Sequence, residues 1–273
     1  MQLLLTLVAD SYFAPRHETS LTGRYVSRPA TAGPWDERFQ HGGPPSALAV
    51  LVADRAIRDE IGRTDLIALR LAADFVGPVP VAEITTQARV VRVARRAALV
   101  EVTIAAEQRP CLVARVWFVR DADTASVAPA LGDAVAVPDL PTGLDHSFGY
   151  GSSLEWRFVR GRMHEPGPAA AWVRPTMSLI AGRDAPGLAG VALIADSASG
   201  ISAELDWSRW SFLNIDLDIH LARPPEGEWL LMEAATQLGA RGSAMARSAL
   251  SDVRGVLGAG LQTLVVAPLG GDQ

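Results

Sequence analysis

The two halves of this sequence repeat the same landmarks in the same order, and this repeat limits the fold more than any single motif does. The landmarks recur at offsets of 142 (196 − 54), 146 (224 − 78) and 145 (254 − 109) residues: Asp54 with Asp196, Pro78 with Pro224, and Arg109 with Arg254. Near-constant offsets over three separated points indicate a duplicated unit. We therefore expect two tandem copies of one small fold.

Each half begins with a short apolar helix and continues with alternating strands. The first helix, "SALAVLVADRAI" (46–57), is apolar on all faces, and Pro44 and Pro45 suit its first turn. The second, "GVALIADSASG" (190–200), is shorter, and we expect it to end at Gly200. Antiparallel strands are predicted for the alternating segments 66–80, 83–93, 97–107, 111–119, 211–225, 228–239, 242–252 and 256–266.

The two halves are separated by a stretch that lacks any periodic pattern. From Asp121 to Ser153 the sequence reads "DADTASVAPALGDAVAVPDLPTGLDHSFGYGSS", which is rich in Ala, Pro, Gly and Asp. That composition is typical of a linker. We predict a first unit over residues 1–122, a linker over 123–153 and a second unit over 154–273.

Charge and residue usage exclude several classes of function. The net charge is −5 with acids and bases scattered, so we expect no face for nucleic acid and no polybasic membrane segment. All 25 basic residues are Arg, which excludes a Schiff-base lysine, a P-loop lysine and a Ser–Lys nucleophile pair. Cys111 is the only cysteine, so neither an internal disulfide nor a thiolate metal site is expected.

The apolar start of the chain is a poor match to a signal peptide. The segment "MQLLLTLVA" lacks a positively charged beginning and runs directly into Asp10. No other apolar run approaches the length needed to span a bilayer. We expect a cytoplasmic protein that does not insert into membranes, in agreement with its single cysteine.

Several segments resemble TesB-type acyl-CoA thioesterases. They are "GPWDERFQHGGPPSALAV" in the first half and "LIADSASG", "LDWSRWSFLNIDLDIHLARPPEGEWLL" and "GAGLQTLVV" in the second. The resemblance implies a double hotdog fold of the α+β class, in which each unit is a central helix wrapped by an antiparallel sheet. It also implies hydrolysis of an acyl-CoA substrate without a metal or other cofactor.

In that family an Asp, a Thr or similar polar residue, and a Gln activate the water that attacks the thioester. The matching positions here are Asp196, Asn214 and Gln262, and Asn214 departs from the hydroxyl residue of the enterobacterial-type members. Thioester hydrolysis needs a base and oriented water but little help at the leaving group. We predict Asp196 as the general base, with Asn214 and Gln262 positioning the water.

The internal repeat suggests that only one of the two copies carries this site. Subtracting the offsets from Asp196, Asn214 and Gln262 gives Asp54, Ala68 and Trp117 in the first half. Ala and Trp cannot replace the two amides. We therefore expect one functional site for each pair of halves.

The segment before the first helix is the second candidate region. His41, Gly42 and Gly43 precede the two prolines, and the N-terminus of a helix presents N–H groups that can stabilise an oxyanion. The glycines would let the acyl chain or pantetheine approach the backbone closely. We predict that these three residues bind the substrate or stabilise the oxyanion.

Ordinary structural roles compete with these assignments. Glycine and proline before a helix commonly mark the end of a loop, and Asp196 could simply cap the "SASG" turn. One alternating strand places four polar residues on a single face, Asn214, Asp216, Asp218 and His220. Such a face is usually exposed to solvent, which leaves Asp218 and His220 as second-rank candidates. The segment "GYGSS" (149–153) resembles a nucleophile elbow only loosely, because the G-x-S-x-G spacing fails.

The leading interpretation is an acyl-CoA thioesterase that uses an Asp-activated water. One alternative is a hotdog enoyl-thioester dehydratase or hydratase, which would need a His–Asp pair drawn from different halves, such as His41 with Asp196. Another is a non-catalytic acyl-CoA-binding protein. We also expect a homo-oligomer, because hotdog sheets have open edges that usually pair with another copy.

Overall fold

The computed structural model describes residues 11–128, 131–144 and 147–269. The apolar segment at residues 1–9, weighed above as a signal peptide, lies outside these ranges. Among the described residues, no helix is long and apolar enough to cross a membrane.

The chain forms fourteen strands and four α-helices within the described ranges. The strands are β1 (Ser11–Glu18), β2 (Thr22–Ser27), β3 (Leu66–Phe75), β4 (Glu83–Val93), β5 (Ala97–Ala106), β6 (Arg109–Arg120), β7 (Leu154–Arg160), β8 (Ala169–Pro175), β9 (Ser178–Ile180), β10 (Trp210–Asn214), β11 (Asp216–Leu221), β12 (Leu230–Leu238), β13 (Ser243–Asp252) and β14 (Gly255–Pro268). The helices are α1 (Gly43–Arg55), α2 (Gly149–Ser152), α3 (Leu188–Ala195) and α4 (Ala198–Ile201).

The strands join in one continuous sheet that runs through both halves. Its order is β7-β8-β12-β13-β14-β11-β3-β6-β5-β4-β2-β1-β9, and β10 also pairs with β14. Read outward from the centre, β3-β6-β5-β4-β2-β1 in the first half mirrors β11-β14-β13-β12-β8-β7 in the second. This arrangement of two helix-and-sheet units confirms the expected double hotdog fold.

The strand register gives the repeat a constant offset. At the centre of the sheet Ala72 pairs with Asp218, a difference of 146 (218 − 72). Val100 pairs with Val116 in the first half and Ala246 with Gln262 in the second, and both members shift by 146 (246 − 100 and 262 − 116). The halves are thus related by a pseudo-twofold axis through the pair of Ala72 and Asp218.

This register corrects two of the predicted correspondences. Arg109 closes the hairpin ladder of its half as Gly255 does in the other, so the match of Arg109 with Arg254 is one residue out. The counterpart of Gln262 is therefore Val116 and not Trp117. Because successive side chains of a strand point to opposite faces, this single residue decides between the core and the surface.

Helix α1 is enclosed by the sheet, as its all-round apolar sequence predicts. All residues of α1 from Gly43 to Ala53 except Leu51 are buried. Pro44 and Pro45 stand in its first turn, where missing N–H groups break no helical hydrogen bond. The helix packs against α3 of the second half, and this contact sets up the site described below.

Helix α3 ends earlier than predicted. It stops at Ala195, Asp196 caps it, and the short α4 begins after Ser197. Gly200 therefore lies inside α4 and does not end the first helix. Strands β1, β2, β7 and β8 were also absent from the sequence prediction, and they extend each half-sheet at its outer edge.

Candidate active site

Asp196 lies at the break between α3 and α4, and only 2% of its surface is exposed. A helix of eight residues without a polar side chain ends here, and seven of them are buried, so the carboxylate stands at the end of an interior helix. Burying a charged group is costly unless hydrogen bonds compensate. The partners of Asp196 therefore define the site.

Two amide side chains donate to the Asp196 carboxylate from neighbouring strands. The Asn214 Nδ2 atom on β10 lies 2.5 Å from Asp196 Oδ1. The Gln262 Nε2 atom on β14 donates both to that oxygen, at 3.1 Å, and to the backbone oxygen of Asp196, at 3.0 Å. Gln262 Oε1 accepts the N–H of Ser199 at 3.1 Å, so Gln262 spans the helix break and fixes both sides of it.

His41 supplies the third donor, and it comes from the other half of the chain. Its Nδ1 atom lies 2.8 Å from Asp196 Oδ2. An ionised carboxylate only accepts hydrogen bonds, so for this contact we assign the ring proton to Nδ1. In that tautomer Nε2 carries the lone pair. The Gly43 N–H lies 3.3 Å from the same Nδ1 atom, a longer contact than that of Asp196, and it donates to Nδ1 only when this nitrogen holds no proton.

Tyr150 holds the His41 ring and was absent from the predicted site. The two rings stack with centroids 3.9 Å apart and planes 11° apart. The Tyr150 hydroxyl donates to the Leu193 backbone oxygen at 2.6 Å and lies 2.8 Å from Ser197 Oγ. Burial raises the pKa of Tyr150 well above its usual value, so the phenol remains a neutral donor. Its sequence signal was the "GYGSS" segment.

Two glycines at the start of α1, Gly42 and Gly43, allow the close contact between α1 and α3. A Cβ atom on Gly43 would lie 2.3 Å from the Leu193 backbone oxygen. One on Gly42 would lie 2.8 Å from Asp196 Oδ2 and 2.5 Å from the Phe75 ring. Any side chain at either position would push the start of α1 away from Asp196.

A bulge turns Asn214 toward the interior. Asn214 pairs with Leu264 and Asp218 with Leu261, so one strand advances four residues while the other advances three. The extra residue puts Ile215 on the surface, 47% exposed, and separates Asn214 from the face that carries Asp216. The expectation that both belong to one alternating face is therefore wrong.

The remaining polar residues of this strand lie on the outer face of the sheet. Asp218 pairs with Arg70 at 3.2 Å, and Asp216 binds the backbone N–H and hydroxyl of Thr263. His220 is exposed. The two second-rank candidates, Asp218 and His220, thus lie away from the site.

Within the described residues of the first half, no equivalent polar set is present. The same bulge occurs there: Ala68 pairs with Phe118 and Arg70 with Trp117, so β3 advances two residues while β6 advances one. This confirms Ala68 as the counterpart of Asn214. Val116, the counterpart of Gln262, is fully buried. Asp54 forms an ion pair with Arg58 one turn further along the chain. Among the described residues, no group of three or more His, Cys, Asp or Glu side chains is arranged to hold a metal ion.

Family models match both halves of the chain. The acyl-CoA thioesterase N-terminal domain matches residues 31–119, and the acyl-CoA thioesterase C-terminal domain matches residues 131–266. A search of curated protein sequences finds no match.

Solved structures share the whole fold at low sequence identity. A TesB protein from Mycobacterium avium subsp. paratuberculosis is 14% identical, with a TM-score of 0.69 over 98% of each chain. An acyl-CoA thioesterase II, TesB2, from Mycobacterium marinum is 13% identical, with a TM-score of 0.67 over 99% of each chain. A hotdog protein from Alicyclobacillus acidocaldarius is 16% identical, with a TM-score of 0.70 over 94% of this chain and 96% of that one.

Two matched domains in tandem cover most of the sequence, and the structure has the double hotdog architecture throughout. The chain therefore belongs to the acyl-CoA thioesterase family and is a thioester hydrolase.

Proposed function

We propose that this enzyme hydrolyses fatty or related acyl-CoA thioesters with a water molecule activated at Asp196. The observation that carries the proposal is the 2.8 Å contact between Asp196 Oδ2 and His41 Nδ1. It brings a buried carboxylate of the second half against the start of a helix of the first. A proton-accepting group and backbone N–H donors are then close together, and acyl transfer to water requires both.

The start of α1 supplies donors for the oxyanion. Pro44 and Pro45 have no N–H, and the N–H of Ser46 is bonded to the Gly42 oxygen. Within the described residues the N–H of Gly42 has no protein acceptor, and the N–H of Gly43 has only His41 Nδ1, at 3.3 Å. When Nδ1 holds the proton shared with Asp196, both N–H groups are available to a substrate. Two such donors at a helix N-terminus match the demand of a thioester carbonyl that becomes negative.

The two amides differ in what they can offer to water. Both Nε2 hydrogens of Gln262 are used on Asp196 and its carbonyl also has a partner. Asn214 uses one hydrogen on Asp196, which leaves its carbonyl and second hydrogen for the water. We therefore assign Asn214 to positioning the water and Gln262 to positioning Asp196.

The leaving group needs no dedicated acid of its own. A thiol with a pKa of about 8.5 departs far more readily than an alcohol or an amine. The site requires neither a metal nor a covalent nucleophile for this step.

The same His–Asp pair also favours a second candidate, hydration or dehydration of an enoyl thioester. That chemistry needs two titratable groups from different halves, and His41 and Asp196 meet this requirement. Incubation with an enoyl-CoA and absorbance of its conjugated double bond separates the two reactions, because hydration removes the conjugation and releases no thiol.

We further propose that the enzyme is a cytoplasmic homo-oligomer. Strands β7 and β9 end the sheet on either side, and unpaired strand edges are commonly covered by another copy. Light scattering coupled to size exclusion tests this, and a mass of 29.0 kDa for the particle would count against it.

The activity is tested by release of free thiol from acyl-CoAs of increasing chain length. The Gln262→Leu variant is assayed beside the parent, with Gln237→Leu on the exposed part of β12 as the matched control. We expect turnover by the parent, a loss of about 10²-fold for the Gln262 variant and no change for the control. Saturable acyl-CoA binding without thiol release would point to a non-catalytic binding protein.

A further inference from the structure

The site contains two groups that could take the proton of the attacking water, and they differ in access. Asp196 is 2% exposed, whereas the His41 side chain is 14% exposed. We propose that His41 Nε2 is the proton acceptor and that Asp196 anchors and stabilises His41. This inference rests on the proposed hydrolysis and changes one step of it: Asp196 activates the water through His41 and does not take the proton itself.

The Asp196 carboxylate is largely occupied by protein donors. Asn214 and Gln262 share Oδ1, and His41 binds Oδ2. A carboxylate with about four acceptor positions thus has three filled. The one position left lies on Oδ2 beside the His41 contact, on a side chain that is only 2% exposed.

His41 is left with one free ring nitrogen in a fixed position. Its Nδ1 proton is committed to Asp196, and within the described ranges no protein group hydrogen-bonds to Nε2. Stacking on Tyr150 covers one face of the ring, and the His41 backbone N–H donates to the Thr31 oxygen at 2.8 Å. The stacked face, the backbone hydrogen bond and the contact at Nδ1 together fix the ring. The lone pair of Nε2 therefore points in one direction.

Asp196 also suits the charge that would develop on His41. When Nε2 accepts a proton the ring becomes a cation, and the carboxylate 2.8 Å from Nδ1 stabilises that cation directly. The donors to the carboxylate are two amides and the imidazole itself. No Arg contacts Asp196 among the described residues, so its charge remains available to His41.

In the proposed step, water adds to the thioester carbonyl and the sulfur leaves. The water oxygen forms a bond to the thioester carbon, one water proton moves to His41 Nε2, and the carbonyl π electrons move to the oxygen held by Gly42 and Gly43. The carbon–sulfur bond then breaks with its electron pair on sulfur, and the sulfur takes the proton from Nε2. The products are the carboxylic acid and free coenzyme A thiol.

Two substitutions separate proton transfer from structural support. In His41→Asn the side-chain amide can still donate to Asp196 from the place of Nδ1, but nothing replaces Nε2. In His41→Ala the space is open to added imidazole. His220→Ala, on the exposed outer face, is the matched control.

We expect kcat to fall by about 10²- to 10⁴-fold in both His41 variants, with stability of His41→Asn near that of the parent. Imidazoles should restore part of the His41→Ala rate in proportion to their basicity. A His41→Asn variant with kcat within tenfold of the parent would overturn the proposal, because the hydrogen bond to Asp196 would then suffice.

Nitrogen-15 NMR of the parent tests the same assignment without any substrate. The expected result is a proton on Nδ1 and none on Nε2 of His41, and the opposite tautomer would refute the proposal. If the parent releases no thiol from any acyl-CoA, the proposed function fails whatever the tautomer. If the parent releases thiol and both His41 variants keep parental kcat, the hydrolysis stands and His41 is not the proton acceptor.

Discussion

Two carboxylates of this protein sit beside the central helices, and their partners are opposite in kind. Asp196 accepts hydrogen bonds from two amides and an imidazole at the start of α1. Glu18 lies near the end of α1, where it binds Arg55, the last residue of that helix, and Arg183, in the segment leading to α3. Tyr25 also donates to Glu18, at 2.6 Å.

The difference shows that the partners of a carboxylate decide whether it serves the fold or the reaction. Burial raises the pKa of Glu18, but hydrogen bonds from Tyr25 and Arg183 and the charge of Arg55 outweigh it and lower the pKa overall. Two permanent cations make this carboxylate inert. Around Asp196 the donors are two amides and an imidazole, with no Arg among the described residues, so no permanent cation pairs with its carboxylate.

The largest effect on activity is expected when the charge of Asp196 is removed. Asp196→Asn keeps the shape of the side chain but cannot anchor the protonated Nδ1 of His41. We expect thiol release to fall by about 10²- to 10⁴-fold in a variant that still unfolds cooperatively. Asp218→Asn, a change of the same chemistry on the outer face, should keep parental kcat. Equal losses in the two variants would show that the site has been misplaced.

The second prediction concerns the helix contact that creates the site. In Gly43→Ala the new methyl group would lie 2.3 Å from the Leu193 oxygen, and backbone cannot yield as a flexible side chain does. We expect a loss of about 2 kcal/mol, seen as a melting temperature lower by about 4–8 °C.

The control for this change is Gly132→Ala, whose Cβ would meet nothing within 4 Å. It should melt like the parent. Unchanged melting of the Gly43 variant would mean that α1 and α3 do not meet as closely as described.

The third prediction tests the support of His41. Tyr150→Phe keeps the ring that stacks on His41 but removes the hydroxyl that binds the Leu193 oxygen. Loss of one buried hydrogen bond costs about 1–2 kcal/mol, and we expect kcat to fall by about 5- to 20-fold with little change in KM. Tyr12→Phe removes another buried tyrosine hydroxyl, 2.6 Å from Ser153 Oγ, and should lower stability while leaving kcat unaltered.

The smallest effect is expected at Glu18. The pKa of Glu18 is lowered by folding from its usual 4.5, so its ionised form stabilises the protein at neutral pH. That contribution is lost as pH falls through the folded-state value. Glu18→Gln should therefore melt about 2–4 °C lower near neutral pH, approach the parent in acid, and keep parental activity. A constant gap at all pH values would contradict this.

Most of the architecture followed from two periodicities in the sequence. The helix of apolar residues around Ala47 to Ala53 and the alternating strands such as β4 and β5 are long enough for their pattern to be unambiguous. Strands β1 and β8 escaped prediction because β1 contains Pro15 and a bulge, and β8 is rich in alanine, which is uncommon in strands.

The site was predicted in part, for reasons that lie in how far its residues are apart in sequence. Asp196, Asn214, Gln262 and His41 do come together in the structure. Tyr150 could not be found, because its role depends on ring stacking across two halves and its surroundings resemble a linker. Aligning Arg109 with Arg254 by identity also replaced Val116 with Trp117, since nothing in the sequence marks the register of a hairpin.

The sheet that crosses the pseudo-twofold axis also has a consequence for biosynthesis. When the ribosome has made the first half, β3 has no β11 beside it and β1 has no β9, so the nascent unit exposes two unpaired edges. Such edges invite aggregation until residues more than a hundred positions later emerge. The first unit would be a client for chaperones during translation, and cutting the gene between the two repeats should yield a fragment that self-associates instead of an independent domain.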